Sequence, residues 1–234
     1  MNRLQAELQR LYFSHDVQRE VPGSQEPGLI GADGRVRAMV LELARPASWE
    51  GLAKVWRGVQ VDLALPAPAI AVSGTDGYQL WFSLSEPVPV ARANAFLESL
   101  RMRYLGDIAR DRIGMTPSVL PPVERAPGRW SAFVAPDLAT VFADEPWLDL
   151  APGPDAQADL LSRLESTKPD DLKQALERLK PVFTPVVTQP QAAAVDSPDP
   201  RGFLVEIMND RAMEMHLRIE AAKALLPYFE AQRP

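Results

Sequence analysis

The chain of 234 residues contains no cysteine and only two histidines. Without cysteine it can form no disulfide, no thiolate nucleophile and no cysteine-ligated zinc site, which suits a reducing compartment. The two histidines, His15 and His216, lie in segments that share no motif. A histidine-based metal site or catalytic triad therefore has no support, and we predict no cofactor.

Long apolar runs are missing as well. No segment approaches the roughly twenty apolar residues that a membrane-spanning helix needs. Residues 1–13 mix charged side chains with leucines at helical spacing, unlike the apolar centre of a signal peptide. We therefore expect a soluble, cytoplasmic protein with no membrane partner. The hydrophobic content of 46% is enough to form a packed core.

A basic excess is also lacking. Twenty-five basic and 31 acidic residues give a net charge of −6, which argues against a dominant nucleic-acid footprint. No glycine loop followed by lysine is present to hold phosphates. A local patch remains, in which Arg101 and Arg103 precede Arg110 and Arg112. These arginines either line one side of a groove as phosphate contacts or form the solvated end of a helix.

The most informative segment that is present runs from Ala69 to Leu84. Two apolar runs rich in strand-forming residues flank a turn in which Gly74 and Gly77 can adopt positive φ values, and this pattern predicts a β-hairpin. The turn directs Ser73 and Gln79 towards whatever this region contacts. An amide such as that of Gln79 donates and accepts hydrogen bonds but does not transfer protons at neutral pH, which favours binding over chemistry.

The alternation of side chains along this hairpin divides its aromatic residues. Tyr78, Leu80 and Phe82 share one face, whereas Gln79 and Trp81 share the other. If the second face is exposed, Trp81 can stack on a nucleic-acid base, as in single-strand binders. If a helix covers that face, Trp81 belongs to the core.

The order of the elements predicts an α+β fold. A strand over 35–44, a helix capped by Ser48, the hairpin, a helix over 90–105 and a strand over 130–135 indicate a small mixed or antiparallel sheet with helices. We assign residues 1–150 to this domain and residues 151–180 to a helical extension. A flexible proline-rich linker is predicted for 181–199, followed by a helical tail over 200–234.

This order, together with the segment from Ser73-Gly74 to Tyr78-Gln79, resembles the palm-like core of the archaeo-eukaryotic primase superfamily over residues 35–140. In that family the first strand ends in paired aspartates, and a histidine in the second motif contacts nucleotide phosphate. Here the first motif has Glu42 alone, a vestigial metal ligand, and Gln79 stands in place of the histidine. Because two-metal phosphoryl transfer needs converging carboxylates, the resemblance implies a degenerate site that binds without catalysis.

A second resemblance lies in the tail. Residues 199–210 and 217–228 look like a segment of some bacteriophage terminase small subunits. It implies a pair of helices for self-association or for docking onto a protein partner in a DNA-handling complex. Basic and acidic residues balance across 200–234, which favours protein contact over DNA contact. The apolar residues of this predicted surface are Phe203, Leu204, Ile207, Met208, Leu217, Leu225 and Tyr228.

These patterns lead to three functional hypotheses. The first is a non-catalytic, primase-like DNA-binding protein that acts in replication or DNA packaging of a phage or mobile element. Its groove is predicted to be lined by Ser73, Gly74, Gly77, Gln79, Trp81 and Glu42, with Arg101 and Arg103 as phosphate contacts. The second is a protein-interaction or oligomerisation module that does not bind nucleic acid. The third, an active nucleotidyltransferase, requires a metal at Glu42 and one further carboxylate.

Overall fold

The computed structural model describes residues 2–14, 29–115, 119–180, 200–210 and 215–230. Residue contacts divide the chain into two compact units, Met1–Val182 and Phe183–Pro234, which we call the sheet unit and the tail unit. The linker predicted for residues 181–199 lies outside the described residues. Within the described ranges, no helix is both long enough and apolar enough to cross a membrane.

The sheet unit alternates helices with strands. Ser48 caps the second helix as predicted, since its hydroxyl accepts a hydrogen bond of 3.2 Å from Gly51 N. The helices are α1 (Arg3–Tyr12), α2 (Trp49–Val61), α3 (Val90–Tyr104), α4 (Pro154–Ser162) and α5 (Pro169–Leu179). The strands are β1 (Arg35–Ala44), β2 (Ala69–Val72), β3 (Gly77–Pro89), β4 (Ile113–Gly114), β5 (Glu124–Ala126), β6 (Arg129–Trp130) and β7 (Ala132–Val134).

Five of these strands form one antiparallel sheet in the order β4-β1-β3-β2-β7. Strands β2 and β3 are the predicted hairpin, with Val72 opposite Tyr78 and Ala69 opposite Trp81. Strand β3 also pairs with β1 and is therefore the central strand. Strands β5 and β6 form a separate hairpin. The predicted α+β class is confirmed.

Helices cover both faces of the sheet. On the first face, Leu41 and Leu80 share a core with residues of α2, α3 and α5. On the second face, Val40, Trp81 and Phe133 share a core with residues of α1 and α4. Because successive residues of a strand point to opposite faces, this division places each strand residue in one of the two layers.

A buried arginine holds α1 on the second face. Arg37 is 5% exposed and donates hydrogen bonds to the carbonyl groups of Arg10 and Phe13, at 2.9 and 2.8 Å. Arg10 in turn donates to the carbonyl groups of Leu161 and Leu164 at the end of α4. The last carbonyls of a helix lack partners within the helix, so these cations satisfy them. The two helices are thereby fixed over the second face.

The tail unit contains two helices that contact each other, α6 (Pro200–Asn209) and α7 (Met215–Glu230). The first of them ends at Asn209. In α7, Ala221 and Leu225 are buried. Arg218 Nε donates a hydrogen bond of 3.0 Å to the carbonyl oxygen of Met208, which ties the start of α7 to the end of α6.

Candidate nucleic-acid interface

The structure brings two of the predicted site residues, Glu42 and Gln79, side by side. They lie opposite each other in β1 and β3, and Gln79 Nε2 donates a hydrogen bond of 3.1 Å to Glu42 Oε2. Trp81 Nε1 donates to Gln79 Oε1 at 2.9 Å. Because the amide oxygen accepts from the indole, the amide NH2 group points towards Glu42. The three side chains form one hydrogen-bonded row on the second face.

Trp81 is a core residue, and the alternative in which it stacks on a nucleic-acid base is wrong. Its side chain is 1% exposed. It packs edge-on against Tyr12 of α1 and Phe133 of β7, with ring centroids 5.5 and 6.2 Å apart. Gln79 is also buried, so it does not project from the turn as expected. Helices α1 and α4 are the reason, because they cover the face that these residues share.

Glu42 is the half-buried end of this row. Burial raises the pKa of its carboxyl group, against the lowering effect of the hydrogen bond from Gln79. The negative charge of Asp76 raises the pKa further, whereas the positive charges of Arg125 and Arg45 lower it. The carboxylate therefore lies at the edge of the buried second face, close enough to Asp76, Arg125 and Arg45 for their charges to act on it.

Two glycines make room for this carboxylate. A Cβ atom at Gly77 would lie 3.0 Å from Glu42 Oε1 and 2.9 Å from the carbonyl oxygen of Leu43. On the other side, Gly114 of β4 is paired with Glu42, and a Cβ there would lie 3.3 Å from the Cβ of Glu42. A larger residue at either position would press on the acidic side chain. Gly77 thus shapes the site without offering a group to a ligand.

The turn before β3 is closed by Ser73, which is buried and does not project outwards as expected. Its hydroxyl accepts hydrogen bonds from Thr75 N at 3.2 Å and Gly77 N at 2.9 Å. Gly74 has a φ of +78°, and a Cβ there would lie 2.6 Å from Arg125 Cγ and 2.7 Å from Ser131 N. Both residues therefore build the turn, and Gly74 sets how closely the β5–β6 hairpin approaches it.

The predicted phosphate contacts Arg101 and Arg103 are elsewhere. They lie on α3, which covers the first face, whereas Glu42 and Gln79 lie on the second face. Arg101 donates to Glu98 Oε1 at 2.8 and 3.0 Å, and Arg110 binds the other oxygen of the same carboxylate. These bonds hold the pKa of Glu98 at about 2.

Arg103 is likewise engaged within the protein. It lies 3.5 Å from Asp62 Oδ2 and donates to the carbonyl oxygen of Arg178 at 3.1 Å. The structure thus does not bring the α3 arginines together with Glu42 and Gln79 in one groove. The two sets of predicted residues belong to opposite layers of the sheet unit.

Three other arginines surround the turn, and we call them the turn arginines: Arg45, Arg112 and Arg125. Arg45 directly follows β1, has a φ of +52°, and donates to the carbonyl oxygen of Asp111 at 2.6 Å. Arg112 donates to the carbonyl oxygens of Ala44 and Pro46, at 3.3 and 2.8 Å. In the described part of the chain, none of the three has a carboxylate within ion-pair distance.

Sequence reasoning missed Arg45 and Arg125 as site residues. Arg45 carried a usable signal, because it comes directly after the strand that holds Glu42. Arg125 carried none, since it lies in a short hairpin far along the chain, and only tertiary packing brings it against Gly74. Arg112 is part of the predicted arginine patch, but in the structure it does not act with Arg101 and Arg103. Its side chain donates instead to the carbonyl oxygen of Ala44, the last residue of β1.

The third hypothesis needs a second carboxylate near Glu42, and Asp62 does not supply it. Asp62 follows α2 and binds Arg103 and the hydroxyl group of Tyr104, which donates to it at 2.9 Å. It therefore belongs to the α3 side of the unit. Among the described residues, no group of three His, Cys, Asp or Glu side chains lies close enough to hold a metal ion.

The predicted tail surface is partly described. Leu225 is buried, whereas Leu217 is 43% exposed. The side chains of Leu204, Ile207 and Met208 are half-buried. Those of Phe203 and Tyr228 lie outside the described residues.

No family model matches this chain, and no curated protein matches it. The interpretation of the site consequently depends on its own geometry.

Proposed function

We propose that this protein binds nucleic acid without catalysis, through the turn arginines at the Glu42 end of the sheet. The observation that carries the proposal is the contrast in pairing: Arg45, Arg112 and Arg125 have no carboxylate partner among the described residues, whereas Arg101 and Arg103 do. An arginine without an ion pair has no carboxylate to cancel its charge, and those of its planar donors that are not bonded to backbone carbonyl groups can bind a phosphate.

The backbone at this end of the sheet supports the proposal. Arg45 has a φ of +52°, an uncommon conformation for a residue with a Cβ atom, and such strain concentrates at functional sites. Arg45 N donates to the carbonyl oxygen of Asp76 across the turn, at 3.3 Å. The Cβ and Cγ atoms of Arg125 lie against Gly74. These contacts restrict the backbone of Arg45 and the base of the Arg125 side chain, which reduces the entropy lost on binding.

The carboxylates close to the turn arginines limit the affinity for nucleic acid that we expect. Asp76, Asp111 and Glu124 are exposed near the turn arginines. A patch with so many acids binds a polyanion weakly, and three phosphate contacts on a single strand give a slope of about −2 in log K against log salt. The setting in replication or DNA packaging of a phage or mobile element is supported only by the resemblances of residues 35–140 and of the tail.

Fluorescence anisotropy with labelled single- and double-stranded DNA tests this function. We expect binding that weakens between about 50 and about 200 mM salt. The double variant Arg45→Ala/Arg125→Ala should weaken it about tenfold or more and reduce the salt slope, since each lost phosphate contact lowers the slope by about one unit.

The matched control is Arg101→Ala/Arg103→Ala, which removes the same charge from the ion-paired arginines and should leave the affinity within about twofold. Circular dichroism checks that both variants are folded. Equal losses in the two double variants, or no salt-sensitive binding by the wild-type chain, would show that the turn arginines are not a nucleic-acid site.

A second candidate function is protein interaction through the tail unit. It is favoured by three exposed apolar residues on α7, Met215, Leu217 and Ile219, which are 67, 43 and 48% exposed. Two helices are too small to bury a sizeable core by themselves, so a partner surface is a natural role for such residues. Light scattering of the full chain and of Leu217→Asp/Ile219→Asp distinguishes self-association from a monomer.

A further inference from the structure

The β5–β6 hairpin carries a second feature beside the turn arginines. The guanidinium carbon of Arg129 lies 4.1 Å from the ring centroid of Trp147, the distance of a stacked cation–π pair. Arg129 is exposed and Trp147 is half-buried. In the described part of the chain, Arg129 has no carboxylate within ion-pair distance. Its guanidinium is therefore bound to the protein mainly through one flat face.

The two residues are held together by the backbone on either side of them. Trp130 N donates to the carbonyl oxygen of Leu148 at 2.8 Å, and Leu148 N donates back at 3.0 Å. Gly128, with a φ of +70°, forms the hairpin turn, and its N–H donates to Glu124 Oε1 at 2.9 Å. The stacked pair is therefore built on two segments that are hydrogen-bonded to each other.

The pair also adjoins the turn arginines. Gly74 N donates to the carbonyl oxygen of Pro146, the residue before Trp147, at 3.0 Å. The same glycine lies against the side chain of Arg125, which is in the other strand of the hairpin from Arg129. Both the segment before Trp147 and the side chain of Arg125 thus contact Gly74, on one end of the sheet unit.

We propose that the exposed face of the Arg129 guanidinium, backed by Trp147, is a stacking platform for an unpaired nucleobase, so that the protein selects single-stranded over double-stranded nucleic acid. This inference rests on the proposed function and names its ligand class. A guanidinium plane stacks on the face of any base, and only an unstacked base offers that face. Asp144, Glu145 and Asp149 flank Trp147 and are exposed, so they repel phosphates on that side and leave the face of a base as the contact that the platform favours.

The experiment compares two labelled single strands of equal length, oligothymidine and an abasic strand with the same phosphates. We expect the wild-type chain to bind oligothymidine about 5- to 100-fold more tightly than the abasic strand, the range for one base–side-chain stack. Arg129→Lys keeps the charge but loses the plane, so it should bring this ratio close to one while leaving abasic binding unchanged.

Arg35→Lys is the matched control, because Arg35 is exposed on the opposite end of β1 and should not alter the ratio. Equal binding of both strands by the wild type, or a base preference that survives Arg129→Lys, overturns the stacking platform. If that happens while binding still depends on salt and on Arg45 and Arg125, the proposed function stands. No binding of either strand overturns both.

Discussion

Two glutamates of the sheet unit each have two arginines nearby, with opposite results. Glu98 on α3 binds Arg101 and Arg110 directly, and the pKa of its carboxyl group falls to about 2. Glu42 in β1 has Arg45 and Arg125 nearby but bonds Gln79 instead, and burial raises the pKa of its carboxyl group.

The difference shows what each region does with its charge. On α3, the guanidinium groups of Arg101 and Arg110 are both engaged by the carboxylate of Glu98, so their donors are less available to a ligand. At the turn, the neutral amide of Gln79 donates a hydrogen bond to the carboxylate of Glu42, and Arg45 and Arg125 lie beyond ion-pair distance of it. The spacing of arginines along the sequence favours the α3 region, whereas the pairing in the structure distinguishes it from the turn.

Among the variants that test the difference between the turn and α3, Gly74→Ala should have the largest effect on stability. The substitution places a Cβ at a φ of +78°, 2.7 Å from the backbone nitrogen of Ser131, so the β5–β6 hairpin must move. We expect a loss of about 2–4 kcal/mol in the free energy of unfolding, measured by urea denaturation. Nucleic-acid binding should weaken as Arg125 shifts.

Gly34→Ala is its control, because Gly34 has a φ of +70° with no atom within 4 Å of an added Cβ. It should lose only about 1–2 kcal/mol and bind normally. Equal destabilisation by the two substitutions would contradict the close approach of the hairpin to the turn.

A smaller effect is expected for Trp81→Phe. Phenylalanine cannot donate to Gln79 Oε1, so the buried amide loses its hydrogen bond from the indole. That bond is one of those that set the direction of the amide. We expect a loss of about 1–3 kcal/mol in the free energy of unfolding. A change in the pKa of Glu42, followed by carbon-13 NMR, should accompany it.

Trp56→Phe is the matched control for this change, since it removes an indole hydrogen bond of 3.1 Å to the carbonyl oxygen of Pro68 in a half-buried place. It should not move the pKa of Glu42. An unchanged Glu42 pKa in Trp81→Phe would mean that the indole does not position Gln79.

The smallest effects are the pH dependences of the two glutamates, which should have opposite signs. The folded state raises the Glu42 pKa above its ordinary value of 4.5, so wild-type stability relative to Glu42→Gln should fall as the pH rises through that raised pKa. The folded state lowers the Glu98 pKa to about 2, so stability relative to Glu98→Gln should fall as the pH drops from 4.5 towards 2.

Urea unfolding at a series of pH values measures both differences. Because the Glu98 side chain is 34% exposed, its contribution should shrink when salt is added. If the stability differences for Glu42→Gln and Glu98→Gln change with pH in the same direction, the two carboxyl groups do not have oppositely shifted pKa values.

The sequence alone was sufficient for the hairpin and for the order of the elements around it. Val72 and Tyr78, on either side of the turn, pair as the alternation and the glycines predict. The cap at Ser48 and the end of α6 at Asn209 were also predictable, because each depends on neighbouring residues. The α+β class follows from such local patterns.

The covering of the second face could not be predicted. Whether Trp81 is exposed depends on α1 and α4, which are far away in the sequence and are fixed by Arg37 and Arg10. The same limit applied to the site: Glu42 and Gln79 could be named from the sequence, but their hydrogen bond depends on the pairing of β1 with β3.

Local periodicity and turn chemistry, which act over a few residues, thus determined from the sequence which segments become helices and strands. Only the tertiary structure decided which arginines are paired with a carboxylate. Arg103 meets Asp62 across 41 positions of the chain, and Arg125 reaches Gly74 through the packing of a distant hairpin. Ion pairing depends on distances in space that no local pattern of residues contains.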